Sequence, residues 1–161
     1  MKVFGRKGAE PEAVYTGLRK LALELTPEQI GLPPEDVPPV LAVLMEMAFQ
    51  GAVATLVGVV DGATSLYFSS GGGFIGAGGH AAVAEATQRW VAGAAAFVPQ
   101  LSQVSDPPPP AEGSTQFVVV SPDGLVGAVV PEEELGEGRH PLSPLFYAGQ
   151  DVITQIRLNC G

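Results

Sequence analysis

Between residues 40 and 70 two turn signals, Gln50-Gly51 and Asp61-Gly62, cut the chain into three short apolar runs, and this spacing constrains the fold more than any other feature. Asp-Gly flanked by apolar runs is a strong hairpin signal, because a tight two-residue loop needs positive φ angles that these residues tolerate. The runs are VLAVLMEMAF at 40–49, VATLVGVV at 53–60 and TSLYFSS at 64–70. The second reads as a buried strand by its β-branched content. The first fits two templates: Leu41, Leu44, Met45 and Ala48 lie at helical spacing, whereas Leu41, Val43, Met45, Met47 and Phe49 alternate as one face of a strand. Gln50-Gly51, which can turn the run directly into the next strand, decides for the strand. A three-stranded antiparallel meander is the expectation.

Around this meander the punctuation is equally regular. A helix is expected over 11–25, with Pro11 in its first turn and Val14, Leu18, Leu21 and Leu25 on one face. Thr26-Pro27-Glu28 starts a single turn closed by Gly31, and the four prolines of 31–39 make a connector. Gly-rich 71–79 opens a helix over about 80–101, striped by Val83, Trp90, Ala94, Phe97 and Leu101. Residues 103–114, QVSDPPPPAEGS, read as a mobile internal linker, since four successive prolines favour polyproline II and cannot join a sheet ladder. Strands at 115–121 and 125–130 flank the turn Ser121-Pro122-Asp123-Gly124, Glu132-Glu133-Glu134 form a solvated acidic turn, and a helix carries Leu145, Ala148, Val152 and Ile156 over 143–158. The order is α–βββ–α–ββ–α. It specifies a single α+β domain over 1–161, two-layered, with a five-stranded antiparallel sheet and a flexible start at 1–10.

Charge narrows the partners. Residues 1–20 carry a net charge of +3, whereas the remaining 141 hold three basic and fifteen acidic groups. An acidic body repels phosphate backbones and anionic lipid, so neither nucleic acid nor a membrane surface is expected, and a neutral or basic protein is. The single cysteine, Cys160, excludes an internal disulfide framework and a CxxC site, in keeping with a reducing cytoplasm. No stretch is apolar enough for a membrane span or a secretory signal.

Two segments, SLYFSSGGGFIGAGGH at 65–80 and ELGEGRHPLSPLFYAGQDVITQIRL at 134–158, resemble a group of small bacterial proteins of uncharacterised function, and the likeness extends over most of the chain. It implies no activity. By element order the chain is similar to the secretion-chaperone-like fold, whose members are small, acidic, usually dimeric proteins that bind segments of partner proteins. Were 40–49 helical, the order would become α–α–ββ–α–ββ–α. The alternative would then be a roadblock- or longin-like, profilin-type α/β sandwich, and with it a regulator of a small GTPase.

Chemistry-bearing patterns are few. Gly71-Gly72-Gly73-Phe74-Ile75-Gly76 satisfies G-x-G-x-x-G between a strand and a helix, but the helix leads into prolines rather than a parallel strand and no acid follows at a strand end about twenty residues on. A structural turn is the stronger reading. The rival is a small-ligand or anion site, or an enzyme, built from Ser69, Ser70, Gly71, Gly72, Gly73, Gly76 and His80. His80, His140 and Cys160 lack ligand spacing, and no G-x-S-x-G elbow is present, so no catalytic residue, metal site or cofactor is expected. Phe146, Tyr147, Val152 and Ile156 are the candidate interface residues; Phe146 and Tyr147 point about 100° apart on a helix, and burying both requires cover on two sides. The expected function is a non-enzymatic, cytoplasmic protein-interaction domain that forms a homodimer.

Overall fold

The computed structural model describes residues 2–3 and 10–160; most of the expected flexible start at 1–10 lies outside them. In chain order the elements are β1 (Lys2–Val3), α1 (Pro11–Leu23), α2 (Pro27–Ile30), β2 (Ala42–Phe49), β3 (Ala52–Val59), β4 (Thr64–Phe68), β5 (Gly73–Ile75), α3 (Ala81–Ala94), β6 (Ser102–Val104), β7 (Ser114–Ser121), β8 (Gly124–Pro131), α4 (Glu132–Gly136) and α5 (Ser143–Cys160). One sheet runs β1-β5-β4-β3-β2-β7-β8-β6, and every neighbouring pair is antiparallel. The α+β class holds. The strand count is corrected: the sheet has seven strands of three or more residues rather than five, with the two-residue β1 at one edge. Both additions are three-residue strands, β6 at the other edge and β5 between β1 and β4. β5 is the return of a glycine turn onto β4, and β6 pairs with β8 immediately before the prolines begin.

Residues 40–49 form the strand β2, which lies between β3 and β7 near the centre of the sheet and is buried from Ala42 to Ala48. The condition for the roadblock-like alternative is therefore not met. Centrality explains why the pattern was ambiguous, because a strand covered on both faces loses the alternation that betrays an edge or surface strand.

The expected two layers are three. On one face Val43, Met45, Leu56, Leu66 and Phe117 meet α3 and α5 through Val83, Trp90, Val91, Val152 and Ile156. Trp90 donates its indole N–H to the Leu145 carbonyl at 3.1 Å, tying α3 to α5. Gly58 of β3 permits that helix to sit close, for a Cβ there would stand 2.8 Å from the Trp90 ring and 2.9 Å from the Thr87 methyl. On the other face Leu44, Val57, Tyr67, Val118 and Val120 are covered by α1 and by Leu32 and Val37 of the connector. The buried side of α1 differs from the apolar stripe in the sequence: Tyr15, Arg19 and Ala22, at i, i+4 and i+7, face the sheet, while Leu21 is 66% exposed. A polar spot on the sheet beneath the helix sets that rotation.

Candidate functional site

Cross-strand register creates the spot. Tyr67 pairs with Thr55, Thr55 with Glu46 and Glu46 with Gln116, so β4, β3, β2 and β7 place four polar side chains in a row on one face. A carboxylate in the middle of an apolar strand must be paired and hydrogen-bonded, because an isolated buried charge is prohibitively expensive. Arg19 descends from α1 to supply the charge: its Nε donates to Glu46 Oε2 at 2.6 Å and its Nη2 to Oε1 at 2.9 Å. Gln116 Nε2 donates to Oε1 at 3.0 Å and the Thr55 hydroxyl to Oε2 at 2.9 Å. With its one proton given to Glu46, Thr55 accepts from the Tyr15 hydroxyl at 2.7 Å. Glu46 is 0% exposed and its carboxylate is saturated.

The same donors reach upward to the proline-rich segment. Arg19 Nη2 donates to the Pro107 carbonyl at 2.7 Å and Gln116 Nε2 to the Pro108 carbonyl at 2.8 Å. Pro107 is buried, Pro108 and Pro109 are exposed and Pro110 is half-buried. Glu112 accepts from the Gln50 amide at 2.8 Å, and the Gly113 amide donates to the Ala48 carbonyl at 3.0 Å. The segment expected to be a mobile linker is thus a strap, anchored by β6 at its start and seated on α1 and β7.

Burial disfavours the Arg19 cation, but the hydrogen bonds and charge of Glu46 outweigh it and hold the guanidinium pKa above its usual value. Burial also pushes the Tyr15 hydroxyl up to about 12, and the Glu46 charge adds to that rise against the Thr55 hydrogen bond. Burial raises Tyr67 in the same direction. The two tyrosine rings meet edge to face at 5.7 Å. Beside the strap a cleft of about 540 Å³ opens between α1 and β8, lined by Arg19, Lys20, Leu23, Asp106, Pro109 and Leu125 among others.

The sequence-derived ligand loop is not one continuous turn. β5 splits it: Ser69, Ser70, Gly71 and Gly72 form the turn before that strand, Gly73 is its first residue, and Gly76 and His80 follow it. The Ser69 hydroxyl accepts from the Val53 amide at 2.8 Å, and Gly71, Gly72, Gly73 and Gly76 have positive φ, so the glycines serve a hairpin and the entry to α3. His80 precedes α3, and its side chain makes no capping hydrogen bond. Three of the interface candidates, Phe146, Val152 and Ile156, are buried in the core of the same chain, because α5 is covered by both α3 and the sheet. Tyr147 is 44% exposed and donates its hydroxyl to the Gly136 carbonyl at 2.9 Å.

Tyr15, Arg19, Glu46, Thr55 and Gln116 escaped the sequence reading. One signal was available: Glu46 is the only charge in 40–49, and a lone charge in a buried run demands a partner elsewhere. Among the described residues no three His, Cys, Asp or Glu side chains are grouped to hold a metal ion, and no helix is long and apolar enough to cross a membrane. Comparison with protein-family models, with curated proteins and with solved structures finds no match.

Proposed function

We propose that the chain is a non-enzymatic protein-interaction domain, cytoplasmic and homodimeric. The observation that carries this reading is the saturation of Glu46. The buried ionic cluster spends its donors and acceptors on joining α1, the sheet and the strap, leaving the carboxylate no free lone pair aimed at a substrate. Such a cluster makes a fixed platform rather than a reacting centre. The acidic body supports a neutral or basic protein as partner. Apart from the short β1, β5, β6, α2 and α4, the principal elements run α–βββ–α–ββ–α, the order on which the likeness to partner-binding secretion chaperones rests. Thermal unfolding with nucleotides, inorganic phosphate or divalent metals at saturating concentration is expected to be unchanged. A ligand at a hundred times its Kd would add about 2.7 kcal/mol, and a clear rise in Tm would overturn the proposal. Sedimentation is expected to give the mass of two chains.

A further inference from the structure

We infer that the groove between α1 and β7 is a receptor for a polyproline II segment of a partner protein, and that Pro107–Pro110 occupies it in cis. The inference rests on the protein-interaction reading and names the chemistry of the partner. Polyproline II repeats every three residues, so a segment docked on one side buries positions i and i+3 and exposes the two between. The strap does so: Pro107 is buried and Pro110 half-buried, while Pro108 and Pro109 face solvent. Such segments carry no free N–H, so recognition falls on their carbonyls, which must meet side-chain donors beside an apolar or aromatic wall. Arg19 Nη2 and Gln116 Nε2 are those donors, at 2.7 Å and 2.8 Å from the consecutive carbonyls of Pro107 and Pro108. Both donors are fixed from below by Glu46, so the receptor is organised by the sheet and α1 and not by the strap alone. The adjoining cleft adds a specificity element: Lys20 lines it together with Asp106, the residue before the first proline. The ligand that fits is therefore an acidic residue followed by Pro-x-x-Pro, carried on a protein that is neutral or basic elsewhere.

The test uses the full chain with residues 105–113 replaced by Gly and Ser of equal number, and as probe the synthetic peptide SDPPPPAE, the sequence of 105–112. Calorimetry is expected to show saturable binding to this variant. Replacing the first and last prolines of the peptide by Gly should abolish it, and adding Gln116→Ala to the protein should weaken it about five- to tenfold, the worth of one hydrogen bond. Binding to the intact chain should be far weaker, because the tethered strap competes at an effective concentration in the millimolar range. No binding to a strap-replaced chain that unfolds cooperatively would overturn the inference, as would binding that ignores the proline spacing. If that variant does not fold, the intact ¹⁵N-labelled chain is titrated with peptide to millimolar concentration. Shifts of the Gln116 side-chain amide and of the Ala111–Gly113 amides support the inference, and unchanged spectra overturn it. Neither failure touches the wider interaction reading, which is judged by the thermal and sedimentation measurements on the intact chain.

Discussion

Arg19→Ala should be among the most damaging single substitutions in this chain. It removes two hydrogen bonds to Glu46 and one to the Pro107 carbonyl. The larger cost is what remains: a carboxylate with 0% exposure, held by the neutral donors Thr55 and Gln116. Breaking a buried ion pair by deleting one partner costs about 3–5 kcal/mol. Of a total stability of roughly 5–15 kcal/mol, that is a large share. Arg19→Met breaks the pair in the same way, and the double substitution Arg19→Met with Glu46→Leu, which buries no orphan charge, should cost less than that single change, so the cycle of Arg19→Met and Glu46→Leu should show a coupling of about 2 kcal/mol or more. Urea unfolding followed by the emission of Trp90, the sole tryptophan and fully buried on the opposite face, gives all four corners of the cycle. A cost below about 1 kcal/mol for Arg19→Ala, or additive single changes, would refute the claim that this pair holds the helix to the sheet.

Three other perturbations follow from particular contacts. The Tyr15 pKa in the folded chain lies above the unfolded value of 10.0, so its contribution is complete below pH 10 and lost as pH rises through about 12. Tyr15 should account for a fall of about 3 kcal/mol in the unfolding free energy over that interval, beside the fall that the raised Tyr67 contributes, and Tyr15→Phe should remove its share of the slope in an alkaline titration. Gly58→Ala forces a methyl against Trp90 and Thr87 and should cost roughly 1–3 kcal/mol, read by urea unfolding, with a shift in tryptophan emission. Replacing 105–113 by Gly and Ser should cost about 2 kcal/mol or more in urea unfolding, since four prolines lose their stiffness and Pro107 its burial; a free linker would lose about 1 kcal/mol or less.

Where the sequence spoke through local chemistry, the fold followed it. Asp61-Gly62 and Ser121-Pro122-Asp123-Gly124 form their hairpins, and Val152 with Ile156 marks the inward face of α5. Sequence fell short where the deciding partner is remote. Arg19 and Glu46 are 27 positions apart, and neither residue alone announces the other; the apolar stripe of α1 pointed to Leu21, yet the charge on β2 turned Arg19 inward. Proline composition likewise reads as a linker because its carbonyls have no local partner, whereas here the donors come from α1 and β7, 88 and 8 positions away. The glycines at 71–76 misled in the opposite sense. Positive φ is demanded equally by a phosphate loop and by a hairpin, and only the pairing of β4 with β5 tells them apart.

Backbone ¹⁵N relaxation of the intact chain measures most directly whether the proline segment is a seated part of the fold. The amides of Ser105, Asp106, Ala111, Glu112 and Gly113 bracket the prolines, and Gly113 is already hydrogen-bonded to Ala48. Order parameters near those of the neighbouring strand β7, about 0.85, are expected at these positions. Values below about 0.6 on both sides of Pro107–Pro110, with β7 itself rigid, would mean that Arg19 and Gln116 do not hold the strap, and the groove it is said to fill would have no occupant.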